Sequence, residues 1–285
     1  MSTLAERHQR FHELHQSGCF VIPNPWDIGS ARMMAALGAQ ALATTSAGFA
    51  FTLGRPDMGR VSRDEALAHA EAIVAATPLP VSGDFENGFA DAPDEIAETV
   101  RLAREAGLSG CSIEDTMMPA DPAMGNPAYG FELAVERIAA AADVAKSLVE
   151  PFVLCARADG VMNETYDMEE AIRRIKAFEK AGADLVYVPL VPDTDALTWV
   201  VESVSVPVNA LAAGAVAKLT VPELAGVGVR RISVGSQIAR LTHAAIRDAM
   251  KAMIDNGDFA PFDGGMGGGA VNALLESGAN GGASD

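Results

Sequence analysis

Short apolar segments alternate with segments of helical periodicity along most of the chain, and this alternation constrains the fold most strongly. The apolar runs lie near residues 20–22, 41–44, 80–83, 110–113, 152–156, 184–188, 206–209 and 231–234. Each run is too short for a helix, and near-continuous apolarity over so few residues is typical of a parallel strand buried on both faces. Between the runs, apolar residues recur every three or four positions, as they do from Phe131 to Ala145. The pattern therefore predicts strands connected by helices.

Helix-start signals support these boundaries. Ser62 with Glu65, and Thr220 with Glu223, have the capping-box spacing, in which a hydroxyl and a carboxylate satisfy free backbone N–H groups reciprocally. Pro93 is followed by two acidic residues, as in the first turn of a helix.

Eight strand–helix units in 285 residues predict an α/β fold, a single (β/α)8 TIM-type barrel over residues 1–255. An open doubly wound sheet is the main competitor, but it usually has fewer strands, and no GxGxxG follows the first strand. Residues 256–285 are glycine-rich and are predicted to form a flexible tail, in which AVNALLES could be a short helix docked on a partner subunit. Residues 116–130 are predicted to be a long loop, which in barrels is usually functional.

The charge balance limits the classes of partner. The chain has 21 Lys and Arg against 38 Asp and Glu, a net charge of −17, so it repels phosphate backbones and anionic lipid. We expect no nucleic-acid partner and no membrane partner. The N-terminus lacks the apolar core of a signal peptide, which predicts a cytoplasmic protein. The three cysteines are too scattered for a disulfide framework or a CxxC metal site.

Acidic residues follow three consecutive strands, at the barrel end where chemistry is expected. They are Asp84 and Glu86 after the third strand, Glu114 and Asp115 after the fourth, and Asp159 after the fifth. Such a cluster would repel itself unless a cation neutralised it. All-oxygen ligands favour Mg²⁺, with Mn²⁺ as an alternative, over zinc. Capping of the following helices and pairing with arginines are the competing interpretations.

Two further features are suited to anionic ligands. Arg157 follows the fifth strand, and its planar guanidinium could bind a substrate carboxylate or phosphonate, or could pair with Glu114 or Asp159. The run from Thr44 to Gly48 offers hydroxyls and closely spaced backbone N–H groups for a second carboxylate, although a simple turn would also explain it.

Taken together, the motifs resemble the isocitrate lyase/phosphoenolpyruvate mutase superfamily over roughly residues 10–255. The resemblance rests on NPWDIGSAR, TTSAGF, LGRPD, GDFENG, SIEDT, ARAD, AGADLVYVP and PVNA, in this order. It implies that Asp84 is a direct Mg²⁺ ligand and that Asp57, Glu86 and Glu114 act through waters. It also implies a homo-oligomer, a dimer of dimers in which a terminal helix is exchanged between subunits.

The resemblance and the strand-end positions together define the candidate site. The candidate substrate-binding residues are Thr45, Ser46, Ala47, Gly48, Arg157 and Asn209, and the candidate catalytic residues are Arg157, Glu114 and Thr116. The chain departs from the family pattern in its long loop, TMMPADPAMGN, which lacks the cysteine, lysine and histidine of the isocitrate lyases. Thr116 also replaces the lysine of the phosphonopyruvate enzymes, and Glu86 replaces a commoner aspartate.

These features predict a Mg²⁺-dependent enzyme that acts on a small 2-oxo or 2-hydroxy dicarboxylic acid through a pyruvate-like enolate. A C–C lyase or decarboxylase, with an oxaloacetate-like or alkylmalate-like substrate, is the first hypothesis. One alternative is a C–P bond enzyme, either a phosphonopyruvate hydrolase or a phosphonomutase. A second alternative is a non-catalytic protein that binds 2-oxo acids.

Overall fold

Eight parallel strands form a barrel, which confirms the predicted (β/α)8 fold. The computed structural model describes residues 2–118 and 125–281. The strands are β1 (Phe20–Ile22), β2 (Leu42–Ala43), β3 (Val81–Asp84), β4 (Gly110–Glu114), β5 (Val153–Arg157), β6 (Leu185–Tyr187), β7 (Val208–Leu211) and β8 (Arg231–Ser233). All eight coincide with the predicted apolar runs to within about two residues.

The barrel is nearly closed. The sheet runs in the order β1-β8-β7-β6-β5-β4-β3-β2, so its two edge strands are β1 and β2. Just beyond β1, the Pro23 carbonyl accepts a hydrogen bond from the Ala43 N–H at 3.1 Å, and the Asn24 amide donates to the Thr44 carbonyl at 3.0 Å. These two bonds join the edges at the carboxyl end of the barrel.

The helices surround the strands, and their predicted start signals are confirmed. They are α1 (Leu4–Leu14), α2 (Ile28–Ala36), α3 (Ser46–Thr52), α4 (Arg63–Ala76), α5 (Pro93–Glu105), α6 (Phe131–Ser147), α7 (Met168–Ala181), α8 (Thr194–Glu202), α9 (Val221–Val227), α10 (Gln237–Asn256) and α11 (Gly268–Ala279). Ser62 and Thr220 form capping boxes, and Pro93 begins α5. In the part of the chain that the structure describes, no helix is long and apolar enough to cross a membrane.

The two ends of the barrel differ in chemistry. At the amino end, Phe11 of α1 packs beneath the strands against Phe20, Val153 and Leu185. At the carboxyl end, the parallel register brings polar residues side by side; Asp84 lies opposite Ser112, and Glu114 lies opposite Arg157. The barrel interior is therefore sealed at one end by apolar side chains and lined at the other by ionisable ones.

The C-terminal segment contains more regular structure than the prediction of a flexible tail. Residues 260–264 form a 3₁₀ turn, and α11, which includes the AVNALLES sequence, packs against α2 of the same chain. The two helices can approach this closely because residue 278 is a glycine. A Cβ at Gly278 would lie 1.8 Å from the Arg32 carbonyl oxygen. Exchange of a terminal helix between subunits stays a prediction.

Two histidines are buried beneath the barrel. His8 contacts the Arg104 guanidinium, and His15 Nδ1 lies 2.8 Å from the Phe11 carbonyl oxygen. Burial lowers the pKa of His8 to about 4 and the pKa of His15 to about 3. Both rings are therefore neutral in the folded protein at pH 6, where an unfolded chain would begin to protonate them.

These burials predict acid sensitivity. Below about pH 6.5 the unfolded chain binds a proton at His15 that the folded chain does not, so stability falls by about 1.4 kcal/mol per pH unit for this group. The free energy of unfolding can be measured by urea denaturation between pH 6.5 and 4. We expect it to fall with pH less steeply for His15→Leu than for wild type, with a slope smaller by about 1.4 kcal/mol per pH unit. A constant offset between the two curves would show that the folded protein also protonates His15.

Candidate active site

A cavity of about 170 Å³ opens at the carboxyl end of the strands. It brings together most of the predicted site residues: Thr45, Ser46, Ala47, Asp57, Asp84, Glu86, Glu114, Arg157 and Asn209. These residues lie at the ends of β3, β4 and β5, within β7, and in the segments after β2 and β3, so the parallel barrel gathers residues that are more than 160 positions apart in sequence.

Two predicted residues do not line the cavity. Gly48 lies inside α3, where its N–H donates to Thr45 Oγ1 at 3.2 Å and a Cβ would lie 2.6 Å from the Thr45 methyl carbon. Thr116 is buried; its backbone pairs with Ala128, and its hydroxyl accepts a hydrogen bond from the Asn163 amide at 3.0 Å. Gly48 therefore allows close packing, and Thr116 anchors the base of the long loop. Residues 119–124 of that loop lie outside the described residues.

Asp84, the last residue of β3, is held at both carboxylate oxygens. Oδ2 accepts hydrogen bonds from the Ser46 N–H and hydroxyl, each at 2.9 Å. Oδ1 accepts from Arg157 Nη1 at 2.8 Å and from the Ser112 hydroxyl at 3.2 Å. The Ser46 N–H, predicted to bind a substrate carboxylate, is engaged with Asp84 in this structure.

Arg157 pairs with three carboxylates. Its Nη1 lies 2.8 Å from Asp84 Oδ1, and its Nη2 lies 2.9 Å from Glu114 Oε2 and 2.6 Å from Asp159 Oδ2. A second bond, from Nε to Asp159 Oδ1 at 3.2 Å, makes the Asp159 pair bidentate. Pairing with acids, the alternative considered for Arg157, is what the structure shows, and its positive charge is offset within the protein.

In the part of the chain that the structure describes, no cationic side chain pairs directly with Glu86 or Asp57. Glu86 Oε1 accepts from the Gly59 N–H at 3.1 Å, whereas the buried Oε2 has no hydrogen-bond partner. Burial, reinforced by Asp84 and Asp57, raises the pKa of Glu86 to about 7, and burial also raises the pKa of Asp57. Glu86 has a positive φ of 46°, a backbone conformation that non-glycine residues rarely adopt. An unpaired, buried carboxylate oxygen beside two more acids is suited to a bound cation.

The described residues contain no group of three acidic, histidine or cysteine side chains already arranged to hold a metal. The Arg157 guanidinium lies between Asp84, Glu114 and Asp159, where such a group would otherwise converge. Burial raises the pKa of Glu114 well above its ordinary value, and the neighbouring Arg157 guanidinium opposes that rise.

Asp115 has a supporting role instead of facing the cavity. Its Oδ1 accepts from the Asp159 N–H at 2.8 Å, and its Oδ2 accepts from the Tyr166 hydroxyl at 2.7 Å and from Arg174 at 2.9 Å. These bonds place Asp159 where it can hold Arg157. Four of the five predicted acids therefore surround the site, and the fifth, Asp115, lies behind it.

Asn24, Tyr187 and Arg231 also line the cavity and were missed by sequence reasoning. Asn24 Oδ1 accepts from the N–H groups of Val234 and Gly235, each at 2.9 Å. Tyr187 places its ring 5.3 Å from the Arg157 guanidinium carbon. The only sequence signal for Asn24 and Tyr187 is that each is a polar residue within or beside an apolar run. Arg231 has a stronger signal, because a charged residue inside a predicted buried strand is unusual.

Comparison with known proteins places the chain in a family. A family model described as phosphoenolpyruvate phosphomutase matches residues 11–254. The chain belongs to this family. A solved structure of 2,3-dimethylmalate lyase, itself described as a member of the PEP mutase/isocitrate lyase superfamily, has a TM-score of 0.81 and 25% identity over 96% of this chain and 95% of that one. The predicted superfamily is thus confirmed.

Two further relatives match most of the length of this chain. A crystal structure from Burkholderia cenocepacia J2315 is 43% identical, has a TM-score of 0.89, and covers 95% of this chain and 96% of that chain. The oxaloacetate decarboxylase of Pseudomonas entomophila is 30% identical over 248 residues, 86% of this chain and 81% of that protein. The named relatives are lyases, decarboxylases and mutases of small organic acids.

The ion-pair cluster predicts a stability effect in the absence of metal. Arg157→Met would leave Asp84, Glu114 and Asp159 buried without their shared cation, and breaking a buried pair in this way typically removes about 3–5 kcal/mol. We expect that loss in the free energy of unfolding, measured by urea denaturation in EDTA.

Arg101→Met provides a matched control. Arg101 also binds two glutamates, Glu98 and Glu105, but on an exposed helix face, where solvent screens the pairs and the loss should be much smaller than for Arg157→Met. Equal losses in the two variants would mean that the buried cluster does not hold the barrel mouth together.

Proposed function

We propose that the protein is a Mg²⁺-dependent lyase that cleaves or decarboxylates a small 2-oxo or 2-hydroxy dicarboxylic acid, of oxaloacetate-like or alkylmalate-like structure. The observation that carries the proposal is the unpartnered, buried Oε2 of Glu86, which lies with Asp57 and Asp84 at the cavity mouth. The similarity to an oxaloacetate decarboxylase and a dimethylmalate lyase supports the same reaction class.

The carboxylates of Asp84, Asp57, Glu86 and Glu114 would hold the cation, directly or through waters. Mg²⁺ usually keeps several waters and takes one or two protein carboxylates, and Mn²⁺ accepts the same oxygen ligands. When bound, the cation would supply positive charge to the oxyanion that develops on the 2-oxo acid as the bond breaks.

The chain's own residues would bind the substrate and control its protons. Thr45, Ser46 and Ala47 form the wall of the cavity beside Asp84. Glu114, whose pKa burial raises, is the proposed proton donor, and Arg157 orients its carboxyl through the bond to Oε2. Met118, Met162 and Leu211 contribute apolar side chains that limit water in the cavity.

A turnover assay tests the proposal. Pyruvate release from oxaloacetate, 2-methylisocitrate, 2,3-dimethylmalate and phosphonopyruvate is measured with Mg²⁺, and again with EDTA in its place. We expect Asp84→Asn to lower kcat/KM by about 10²–10⁴-fold, because the metal contributes several kcal/mol of transition-state stabilisation. Asp64→Asn, an exposed aspartate on α4, is the matched control and should keep wild-type activity.

The same assay separates the alternatives. Release of phosphate from phosphonopyruvate alone would favour a phosphonopyruvate hydrolase, and its conversion to phosphoenolpyruvate without release of phosphate would favour a phosphonomutase. Binding of 2-oxo acids without turnover of any substrate would favour the non-catalytic binding protein. Full activity of Asp84→Asn, or activity that survives EDTA, would contradict the site assignment.

We also propose that the chain forms a homo-oligomer, a dimer of dimers, through α10. Among the residues that the structure describes, Ala239 is the one buried member of this helix, and its Ile246, Met250 and Ile254 are 45–70% exposed. These three large apolar side chains are four residues apart, so they lie on one face of the helix and are suited to packing against another subunit.

The oligomer proposal predicts a change in mass. Light scattering coupled to gel filtration should give about four times the mass of one chain for wild type, and a lower mass for the double variant Ile246→Lys/Met250→Lys, because two buried charges would break an apolar interface. A monomeric wild type would refute it, as would an unchanged mass for the variant.

A further inference from the structure

Arg231 is an arginine inside the barrel. It is the first residue of β8, and the register places it opposite Phe20 of β1 and Asn209 of β7. Its side chain lines the active-site cavity, although the residue is only 5% exposed. Nε donates to Asn209 Oδ1 at 2.7 Å, while the Asn209 amide donates to the Ser233 hydroxyl at 2.9 Å. Asn209 thereby orients Arg231.

The charge of Arg231 has no counter-ion within the residues the structure describes. Its Nη1 is buried and lacks a hydrogen-bond partner, and no carboxylate of residues 2–118 or 125–281 lies within ion-pair distance. The ionisable groups around it are Cys155, Tyr187, His15 and Arg157. Burial raises the pKa of Cys155 and of Tyr187, and it lowers the pKa of His15 to about 3. Near neutral pH, those three groups are uncharged and Arg157 is a cation.

Arg231 and Arg157 therefore differ as partners for an anion. Three carboxylates already neutralise Arg157. Arg231 cannot lose its proton in a protein, and a buried guanidinium with a free donor is energetically unfavourable unless an anion reaches it. Since Arg231 lines the same cavity as Asp84 and Glu86, an anion bound there could belong to the substrate.

We propose that Arg231 binds the second carboxylate of the substrate at the floor of the cavity, while the 2-oxo or 2-hydroxy acid end lies at the carboxylates of the mouth. This inference rests on the proposed function and makes Arg231 the residue that selects dicarboxylates over monocarboxylates. Asn209, predicted above to bind substrate, acts as a positioning residue for Arg231.

Calorimetry with two probes tests the inference on the full-length protein with Mg²⁺ present. Oxalate is short and spans only the mouth, whereas malate has a further carboxylate two carbons away. We expect Arg231→Gln to weaken malate binding by about 10–100-fold, the usual effect of losing a charge-assisted hydrogen bond, and to change oxalate binding by less than about threefold. Arg231→Lys, which keeps the charge, should restore part of the malate affinity.

Arg230→Gln is the matched control. The neighbouring Arg230 donates to the Gly18 carbonyl outside the barrel, so its loss should leave both affinities unchanged. If wild type binds oxalate but not malate, the inference about Arg231 is wrong while the proposed function stands. The same holds if wild type and Arg231→Gln bind malate with equal affinity. Wild type that binds neither probe would overturn the proposed function and the inference with it.

Thermal unfolding without ligand distinguishes binding from a structural role. Because Arg231 is an unneutralised buried cation, Arg231→Gln should unfold at the same temperature as wild type or higher. A lower Tm together with unchanged malate affinity would show that Arg231 supports the barrel and does not bind substrate.

Discussion

The Arg157 guanidinium and its three carboxylates are the interaction on which the site depends. Asp84, Glu114 and Asp159 come from three consecutive strands, and one side chain at the end of β5 joins them at 2.6–2.9 Å. Without that cation, three acids would face one another in a largely buried space, where repulsion and desolvation are both unfavourable. Asp115 extends the arrangement outward, because it holds the Asp159 backbone and is itself held by Arg174.

The two ends of the cavity differ in the charge of their side chains, since acidic groups line the mouth and an arginine lines the floor. Within the described residues, the Glu86 and Asp57 carboxyl groups at the mouth have no cationic partner, and Arg231 at the floor has no anionic one. A ligand that brings a cation to the mouth and a carboxylate to the floor would neutralise both. Leaving such groups unpaired lowers the stability of the empty protein, and proteins commonly accept that loss where binding requires it.

The sequence predicted much of this site, and its errors have identifiable causes. Asp84, Glu86, Glu114 and Arg157 all line the cavity, because residues at the carboxyl ends of parallel strands meet at one end of a barrel. Gly48 follows the cavity residue Ala47 and Thr116 lies two positions from Glu114, yet one lies inside a helix turn and the other at the loop base. A residue at the end of a strand can be assigned to the barrel mouth from the sequence. The direction in which its side chain points depends on local hydrogen bonds, which sequence spacing does not specify. Arg231 was passed over because it lies at the start of an apolar run.

The sequence by itself determined the barrel, because short apolar runs, a helical period of 3.6 residues and the capping residues are local properties that each segment carries alone. It also determined which end of the barrel holds the acids. Only the tertiary structure decided which charges are paired, since the neutralisation of Arg157 and the isolation of Arg231 depend on distances between strands far apart in the chain. Coulomb energies change steeply over a few ångströms in a buried site, so a pattern of residue types cannot supply them.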